Sequence, residues 1–400
     1  MNIDKILEIA IKNNASDVHL IHGLFPILRI DGKLFSLRGS SLEEANFSDQ
    51  DQNEDNFSIS ELDTKEDDKF FMEESVYSKE KNKDEDDEGS NSNNFKLVTS
   101  DSIHRILKKA LREEQLERFY KERDYDFSYQ FDDFRFRVNL SYERSNFKAV
   151  FRIINKQSPT LEDVNLPDRV KDLLNLNHGL ILVTGPSGCG KSTSLAAMIN
   201  YINNNRNCNI VTLEDPIEFI FKPNKSIITQ RQLGTDMTSF ASGLKHVLRQ
   251  DPNIVMVGEM RDLETISTAI TLAETGHLIL ATLHTCNAAQ TVDRIIDIFP
   301  SHQQGQVKSQ LSLTLSAIIS QVLLPKIGGG RVAAREILIN NSAISNLIRD
   351  QKIAQIRSVI ETHSKDGMIS FEKSIKNLCD QGIVDISEAK QFLDDKLFFS

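Results

Sequence analysis

The stretch LILVTGPSGCGKST, which begins at Leu180, constrains the fold of this chain more than any other part of its sequence. Apolar residues lead into a glycine-rich turn with the spacing Gly185-x4-Gly190-Lys191-Ser192, the pattern of a phosphate-binding loop. Such a loop needs a buried strand before it and a helix after it, because backbone N–H groups and the positive end of a helix dipole then surround the phosphates. The following STSLAAMINYI is expected to form that helix. The sequence therefore predicts an α/β domain that binds a nucleoside triphosphate.

Residues of the loop have distinct expected roles. Lys191 should reach the terminal phosphates, and the hydroxyl of Ser192 should coordinate Mg²⁺. A helix N-terminus can lower the pKa of a thiol, so redox sensitivity at Cys189 is a further hypothesis. The expected nucleotide-binding residues are Gly185, Ser187, Gly188, Cys189, Gly190, Lys191, Ser192 and Thr193.

Short apolar segments alternate with longer helical segments around the loop. LILVT, NIVTLE, NIVMVGE and HLILATLHT are almost continuously apolar, as expected for parallel strands buried on both faces of a sheet. A further strand, RVAAREILI, follows three glycines at 328–330, and mostly helical sequence continues from there. We expect a nucleotide-binding domain over 169–340 and a helical region over 341–400.

Carboxylates follow two of these predicted strands. TLEDPIEF carries Glu214, Asp215 and Glu218, and NIVMVGE ends at Glu259. Because neighbouring strand ends of an open α/β sheet converge on one crevice, both acidic clusters are expected beside the bound phosphates. Glu259 should hold Mg²⁺ there or order its water. Each cluster alone is also compatible with an ordinary acidic turn.

Two histidines, His277 and His284, flank the predicted strand in TGHLILATLHT. They are separated by seven residues, an odd number, so on a straight strand their side chains point to opposite faces of the sheet. At most one of them is expected to contact the phosphate from the strand itself, unless the strand bends or His277 precedes it.

The N-terminal part, 1–155, has the pattern of an α+β domain. Apolar residues recur at helical spacing from Ile3 to Ala10, and DVHLIHG and PILRIDGKLFSL alternate as strands around an Asp31-Gly32 turn. A second helix later precedes three expected antiparallel strands, DYDFSYQF, FRFRVNLSY and FKAVFRII. Two prolines within 156–168 indicate a linker to the next domain.

One segment makes the chain acidic. The formal net charge is −11, and the stretch from Ser41 to Phe95 holds 19 acidic residues against 5 lysines, a local charge of −14 that leaves +3 for the rest. Because this stretch has little apolar surface to bury, residues 41–95 are expected to form a disordered insertion in the N-terminal domain. A chain without a basic surplus is not expected to bind nucleic acid in general.

Cysteine usage and apolar runs bear on the cellular setting. The four cysteines form no C-x-x-C pair, which argues against a zinc site or disulfide framework and for a reducing cytosol. No run approaches the 18 apolar residues of a membrane-spanning helix, and Asp4 and Glu8 interrupt the N-terminal apolar stretch, unlike a secretion signal. We expect a cytoplasmic protein without direct membrane insertion.

Four motifs in order resemble one family, the secretion-type motor ATPases of type IV pili and type II secretion. They are the phosphate loop GPSGCGKST, the acidic box TLEDPIE, the magnesium-site strand LRQDPNIVMVGEMRD and the histidine box TGHLILATLHT. The resemblance implies a hexameric ring whose subunits have a PAS-like α+β N-terminal domain followed by a RecA-like P-loop ATPase domain, with a mostly parallel sheet and a helical C-terminal region. ATP and Mg²⁺ are the implied cofactors.

The resemblance also implies catalytic roles. Glu214 is the implied base that activates water, Glu259 supports the metal, and His277 and His284 respond to the nucleotide state.

The N-terminal domain is further implied to supply arginines to the nucleotide. An added arginine can contribute about 10³–10⁵ in the rate of phosphoryl transfer, although arginines on strand surfaces are often merely solvated. The matching positions are Arg137, Arg144 and Arg152, and Arg135 is a weaker candidate.

Within the family, AISNLIRD at 343–350 resembles the signature helix of the retraction motors. Ser345 and Asp350 stand where arginine and glutamate are usual, so an ordinary amphipathic helix is the alternative. The chain also lacks the four-cysteine zinc insertion that is usual in extension and secretion motors. The expected apolar face and exposed arginine of this helix are Ile344, Leu347, Ile348 and Arg349.

We therefore predict a hexameric motor ATPase that couples ATP hydrolysis to type IV pilus retraction, the basis of twitching motility. Its expected partners are further copies of itself and a pilus platform protein of the inner membrane, at whose cytoplasmic face it would be peripheral; no nucleic-acid partner is expected. The alternatives are a pilus extension or type II secretion ATPase, a DNA translocase, and a scaffold that binds ATP without hydrolysing it. The acidic insertion is hypothesised to tune a contact with another subunit or partner.

Overall fold

The chain forms two compact units in a computed structural model that describes residues 2–30, 32–38, 41–45, 95–132, 134–154 and 158–393. The first unit comprises Met1–Phe131 and Phe136–Ile153, and the second comprises Asp132–Arg135 and Ile154–Ser400. No helix among the described residues is long and apolar enough to cross a membrane.

The first unit is built on a seven-stranded sheet with the order β4-β3-β2-β1-β7-β6-β5. Strand β1 lies inside this sheet and pairs antiparallel with both β2 and β7. Helix α1 buries the apolar face that its spacing predicts. The elements are α1 Ile3–Lys12, β1 Asp17–Ile21, β2 Ile27–Ile30, β3 Lys33–Arg38, β4 Ser41–Glu44, α2 Ser100–Ala110, α3 Glu113–Glu122, β5 Asp124–Phe131, β6 Phe134–Glu143 and β7 Asn146–Ile154.

The acidic segment begins with regular structure. Its first four residues form β4, which pairs antiparallel with β3 and places Leu42 opposite Leu37. The expectation of disorder from residue 41 onward is therefore wrong at its start, because backbone pairing at the sheet edge needs few apolar side chains. The chain is again described from Phe95, and Val98 exchanges backbone hydrogen bonds with Gly23 (2.9 Å) and Leu24 (2.8 Å) in the turn after β1. Residues 46–94, where the rest of that expectation falls, lie outside the described residues.

The second unit contains a sheet with the order β10-β9-β11-β12-β8-β13-β14. Its strands run parallel except β14, which is antiparallel to β13. Every residue of β8, β11 and β12 is buried, as their continuous apolar sequences predict. The elements are α4 Arg169–Leu174, β8 Gly179–Thr184, α5 Lys191–Asn205, β9 Asn209–Glu214, β10 Ile227–Gln232, α6 Phe240–Val247, β11 Ile254–Val257, α7 Leu263–Glu274, β12 Leu278–Leu283, α8 Ala288–Asp297, α9 Ser301–Thr314, β13 Leu315–Pro325, β14 Arg331–Ile339, α10 Ser342–Arg349, α11 Ile356–Thr362, α12 Phe371–Asp380 and α13 Ile386–Leu393.

The segment expected to be a linker is packed from residue 158 onward. Leu161 and Leu166 are buried in the same core cluster as α5. Asn200 of α5 also donates a hydrogen bond of 3.0 Å to the carbonyl of Pro159. Residues 158–168 therefore belong to the body of the second unit.

Candidate active site

The loop between β8 and α5 wraps tightly against the neighbouring strand β13. Gly185, Gly188 and Gly190 have φ angles of 141°, 76° and 86°, which L side chains rarely adopt. A Cβ atom added at Gly185 would collide with the carbonyl oxygen of Gln321 and lie 2.7 Å from the sulfur of Cys189. Glycine is therefore required at position 185 both by its backbone angle and by the lack of space.

Lys191 begins helix α5 and points back into this loop. Its Nζ donates hydrogen bonds to the carbonyls of Gly185 (2.8 Å) and Pro186 (3.0 Å). Burial lowers the pKa of the ammonium group, and the negative charge of Glu259 partly opposes that effect. The lysine is thus held inside the loop by two neutral acceptors, which a phosphate can replace.

The remaining loop residues divide into an outer and an inner set. Ser187, Gly188 and Ser192 are exposed, whereas the side chain of Cys189 is buried. Burial raises the pKa of this thiol, and nearby Lys191 offsets the effect only in part. The hypothesis that the helix N-terminus activates Cys189 is therefore wrong, because the thiol is buried inside the loop beside its first glycine, where loss of solvent raises its pKa.

Glu214 ends strand β9 as a nearly buried carboxylate. Its Oε1 accepts hydrogen bonds from the Thr212 hydroxyl (2.6 Å) and from Nε2 of Gln230 on the adjacent β10 (3.0 Å). Burial raises the pKa of Glu214; the two donors oppose that shift, and the charge of Glu218 adds to it. A carboxylate with a raised pKa is a stronger proton acceptor, which is the property that a general base needs near neutral pH.

Glu259 and His284 meet beyond the ends of the next two strands. Oε2 of Glu259 lies 2.8 Å from Nε of Arg261 and 3.3 Å from Nε2 of His284. Strands β9, β11, β12 and β8 are consecutive parallel neighbours, so their carboxyl ends share one edge of the sheet. The carboxyl-terminal end of the sheet therefore holds Glu214, the Glu259–His284 pair and the phosphate loop, as the sequence predicts.

His277 lies at the opposite edge of the sheet. It precedes β12, and its Nδ1 lies 3.1 Å from the carbonyl of Leu272, while its own carbonyl accepts from Gly179 at the start of β8. Seven residues of extended chain separate it from His284, a distance of roughly 23 Å at about 3.3 Å per residue. His277 therefore does not lie beside Glu259, His284 and the phosphate loop of the same chain, and its response to the nucleotide state stays a prediction.

The model of the Type II/IV secretion system protein family matches residues 126–391. The chain belongs to this family. Among curated relatives, it is 36% identical over 392 residues to the type IV pilus retraction ATPase PilT of Pseudomonas aeruginosa, covering 98% of each chain. It is 44% identical over 293 residues to a twitching motility protein of Neisseria gonorrhoeae, covering 73% of this chain and 78% of that one.

A solved structure of the pilus retraction motor PilT with bound ADP resembles the chain over almost its whole length. The TM-score is 0.80 at 38% identity, and the match covers 99% of this chain and 98% of the other. The predicted fold class is thereby confirmed, with an α+β N-terminal domain and a RecA-like ATPase domain. Membership of the Type II/IV secretion system family also supports ATPase activity and nucleotide binding for this chain.

The candidate arginines of this secretion-system protein belong to the sheet of the first unit. Arg137 lies 3.6 Å from Asp126 and Arg152 lies 2.8 Å from Asp17, and both arginine side chains are substantially exposed. Arg144 is in the β6–β7 turn rather than on a strand, with a φ of 48°. The Arg137–Asp126 pair is exposed on both sides and contributes little free energy, so Arg137 can exchange partners easily. Asp17, the partner of Arg152, is instead buried. Contact of the three arginines with nucleotide remains a prediction.

The candidate retraction helix is α10, capped by Asn341. Ile344 and Ile348 are fully buried, and Leu347 packs partly buried against the same core. Arg349 is exposed and donates to Asn346 at 2.6 Å. The helix and its apolar face agree with the sequence pattern, and its role in retraction remains a prediction.

Several polar residues of the site, buried or partly buried, were not identified from the sequence. Thr212 and Gln230 orient Glu214, while Gln321 and Arg335 contact each other beneath the phosphate loop. Thr212 sits two residues before Glu214 on one strand, a spacing that places both side chains on one face. That signal was available in the sequence; the other three residues reach the site only through strand pairing.

Proposed function

We propose that this chain is the ATPase of a type IV pilus retraction motor, in which six copies form a ring that couples ATP hydrolysis to withdrawal of the pilus. The observation that carries the proposal is its relation to PilT, which extends over 98% of both chains and includes both units. The site along one edge of the ATPase sheet supplies the chemistry. The expected partner is a platform protein of the inner membrane, with the ring peripheral on its cytoplasmic side.

The loop and its lysine bind the nucleotide in this proposal. Exposed Ser187, Gly188 and Ser192 line the entrance, and Lys191 exchanges its two carbonyl partners for phosphate oxygens. This exchange replaces neutral acceptors by charged ones, and charge-assisted hydrogen bonds are roughly twice as strong as neutral ones. The free energy gained compensates for keeping an ammonium group buried.

Glu214 is the proposed base for hydrolysis. A water held by its carboxylate transfers a proton to it as the water oxygen attacks the terminal phosphorus of ATP. The bond from that phosphorus to the bridging oxygen breaks meanwhile, and ADP leaves. Thr212 and Gln230 fix the carboxylate through Oε1, so the carboxylate need not reorganise during the reaction. Glu259 and His284 lie beyond the two neighbouring strands, where a change at the phosphate can alter their contact.

Magnesium is the proposed metal ion. The Ser192 hydroxyl is exposed at the first turn of α5, and Glu259 follows β11 at the carboxyl ends of the same parallel strands as the loop. Hard oxygen donors are those that Mg²⁺ prefers. Ser192 and Glu259 would hold the ion, which neutralises charge on the phosphates when bound.

The arginines of the first unit complete the proposal. Arg137, Arg144 and Arg152 are candidates to approach the nucleotide when units close around it. Delivering a guanidinium group only on closure links the rate of hydrolysis to movement, which a motor requires.

The proposal is tested by imaging pili in a strain that lacks this gene, complemented with wild type, Lys191→Ala, Glu214→Gln or the surface control Glu264→Gln. Wild type and the control should restore retraction, whereas the two site variants should leave static pili on the surface. Cells without any pili would contradict retraction and favour an extension motor. Sedimentation of the purified chain should show a particle of six copies.

A further inference from the structure

Gln321 is a buried polar residue on β13 that touches the phosphate loop at several points. Its side chain is 1% exposed. Nε2 donates to the carbonyl of Cys189 at 2.7 Å, and Oε1 accepts from the hydroxyl of Ser194 at 2.8 Å. Its backbone carbonyl lies against Gly185. One residue therefore contacts the first glycine of the loop, its inner turn and the helix that follows.

Arg335 lies directly opposite Gln321 on the antiparallel strand β14. The side chain is 4% exposed, and its Nε donates to Oε1 of Gln321 at 3.4 Å. The other guanidinium nitrogens donate to the carbonyls of Val164 (2.6 Å) and Asn165 (2.9 Å). No carboxylate of the described chain forms an ion pair with it. Burial lowers its pKa to about 10, so the group stays charged at neutral pH.

The carbonyls that Arg335 holds belong to the stretch 158–166, which follows the first unit in sequence. The same stretch is bound a second time by Asn200 of α5, through the carbonyls of Pro159 and Ser158 at 3.0 and 3.3 Å. It is thus attached both to the helix of the phosphate loop and, through Arg335 and Gln321, to the loop itself.

We propose that Gln321 is a positioning residue for nucleotide binding, and that Arg335 acts through Gln321 to make the geometry of the phosphate loop depend on the stretch 158–166. Three glycines leave the loop backbone with few constraints of its own, while phosphate binding requires its N–H groups to converge. The amide of Gln321 supplies the missing constraint at the Cys189 carbonyl. The buried Nε–H group of Arg335 requires a hydrogen-bond acceptor, and Oε1 of Gln321 is that acceptor. This contact holds the amide of Gln321 in its orientation.

An apolar residue would fill this space without the free-energy penalty of burying a charge. Buried polar groups that are fully hydrogen-bonded can instead specify one arrangement. Here the arrangement that they specify is that of the loop expected to hold ATP. The inference therefore rests on nucleotide binding at this loop. It adds to the binding site two residues, Gln321 and Arg335, that do not touch the reacting atoms.

The test compares Gln321→Met, Arg335→Met and the double variant with wild type in the full chain, using a fluorescent ADP analogue for affinity and steady-state kinetics for turnover. Gln321→Met should weaken ADP binding about tenfold, which corresponds to about 1.4 kcal/mol. Arg335→Met should weaken it about fivefold alone and have no further effect in the Gln321→Met background. KM for ATP should rise in step, with kcat at saturation changed less than about threefold.

Ile337→Val provides the matched structural control. Ile337 is buried on β14 two residues from Arg335, and it contacts the core rather than the loop. It should lower the unfolding temperature and leave ADP affinity unchanged. Arg335→Lys, which keeps a donor and a charge, should recover part of the lost affinity. If Gln321→Met folds poorly, Gln321→Glu keeps the size and the acceptor, and should show the same loss of affinity.

Three outcomes would overturn the inference. They are unchanged ADP affinity in both Gln321 variants, additive effects of the two methionine substitutions, and an equal loss of affinity in Ile337→Val. A wild-type chain that neither binds ADP nor hydrolyses ATP would instead contradict the proposed function.

Discussion

The Thr212 hydroxyl donates a 2.6 Å hydrogen bond to Oε1 of Glu214, two residues further along the same buried strand. A donor to a carboxylate stabilises its charged form, so Thr212 keeps the raised pKa of Glu214 from rising further. Glu214 acts as a base only when deprotonated. Raising its pKa therefore moves the acidic limb of the kcat profile to higher pH.

Thr212→Val should shift that limb upward by roughly one to two pH units, because a hydrogen bond to a charged group contributes about 1.5–3 kcal/mol and one pKa unit corresponds to about 1.36 kcal/mol. The measurement is kcat for ATP hydrolysis from pH 5 to 9. Thr282→Val serves as the control, since Thr282 is also buried but donates to the neutral carbonyl of Gly258. An equal shift in both variants would count against Glu214 as the base.

Glu214→Gln should separate catalysis from binding. The amide can still accept the hydrogen bond from Thr212 but cannot take a proton from water, so turnover should fall about 10²–10⁴-fold. ADP affinity should stay close to that of wild type. Retention of most of the activity would show that the proton is taken up elsewhere.

Lys191→Met should abolish the stabilisation that nucleotide gives to the folded chain. Without ligand, the variant loses two hydrogen bonds to loop carbonyls but also a buried charge, so its unfolding temperature should change little. Differential scanning fluorimetry with and without ADP measures both effects. An unchanged shift with ADP would place the nucleotide away from this loop.

Glu336 should make folding stability depend on pH. This buried carboxyl on β14 accepts a 2.8 Å hydrogen bond from the backbone N–H of Ala288, at the start of α8, and burial raises its pKa from 4.5 to about 7. Between these two pH values the folded chain keeps a proton that the unfolded chain has released. The contribution of Glu336 to the free energy of unfolding is therefore full below pH 4.5 and is lost as pH rises through about 7. That loss is roughly 3 kcal/mol.

Glu336→Gln mimics the protonated acid and removes this dependence. Urea unfolding at pH 5 and pH 8 should show a wild type that loses stability relative to the variant as pH rises. Parallel curves for the two proteins would mean that Glu336 does not titrate in this range.

Cys189 should react slowly with thiol reagents. Its side chain is buried and its pKa is raised, whereas Cys208 and Cys379 are partly exposed. Mass spectrometry after brief treatment with iodoacetamide should find Cys208 and Cys379 alkylated first, and Cys189 only after unfolding. Early alkylation of Cys189 would revive the idea of a redox-sensitive loop.

Helix α10 should contain separate structural and functional positions. Ile344→Ala removes a fully buried side chain and should destabilise the chain by roughly 2–5 kcal/mol. Arg349→Ala changes an exposed residue and should shift stability by about 0.5 kcal/mol or less. We expect Arg349→Ala to retain ATPase activity and lose twitching motility. Normal twitching would leave α10 with a structural role alone.

The sequence predicts those parts of the fold in which the apolar pattern of a segment agrees with the place of that segment in the sheet. Strands β8, β9, β11 and β12 are largely apolar runs, and the loop motif fixes the end of the sheet where the site lies. Strand β13 was not predicted, because its apolar residues continue the pattern of the preceding helix without a turn signal. Strand β10 lies at an edge, and its half-exposed ITQRQ sequence lacks a strong apolar alternation.

The hydrogen bonds of the buried polar residues were harder to predict from the sequence. Gln321 lies more than 130 residues from the loop that it contacts, and Arg335 faces it only because of one antiparallel register. No local spacing encodes either contact. The difficulty with His277 is different. The histidine motif is continuous in sequence, but it spans the full length of β12, so its two histidines lie at opposite ends of that strand.

Strand β4 is the outermost strand of the first sheet, and the described residues end just after it, at residue 45. They resume at residue 95, and Val98 is hydrogen-bonded beside the turn that follows β1. A stretch that starts from an outermost strand need not interrupt any ladder between interior strands. Evolution can therefore lengthen, shorten or change the charge of the sequence between these two points while the domain keeps the same architecture.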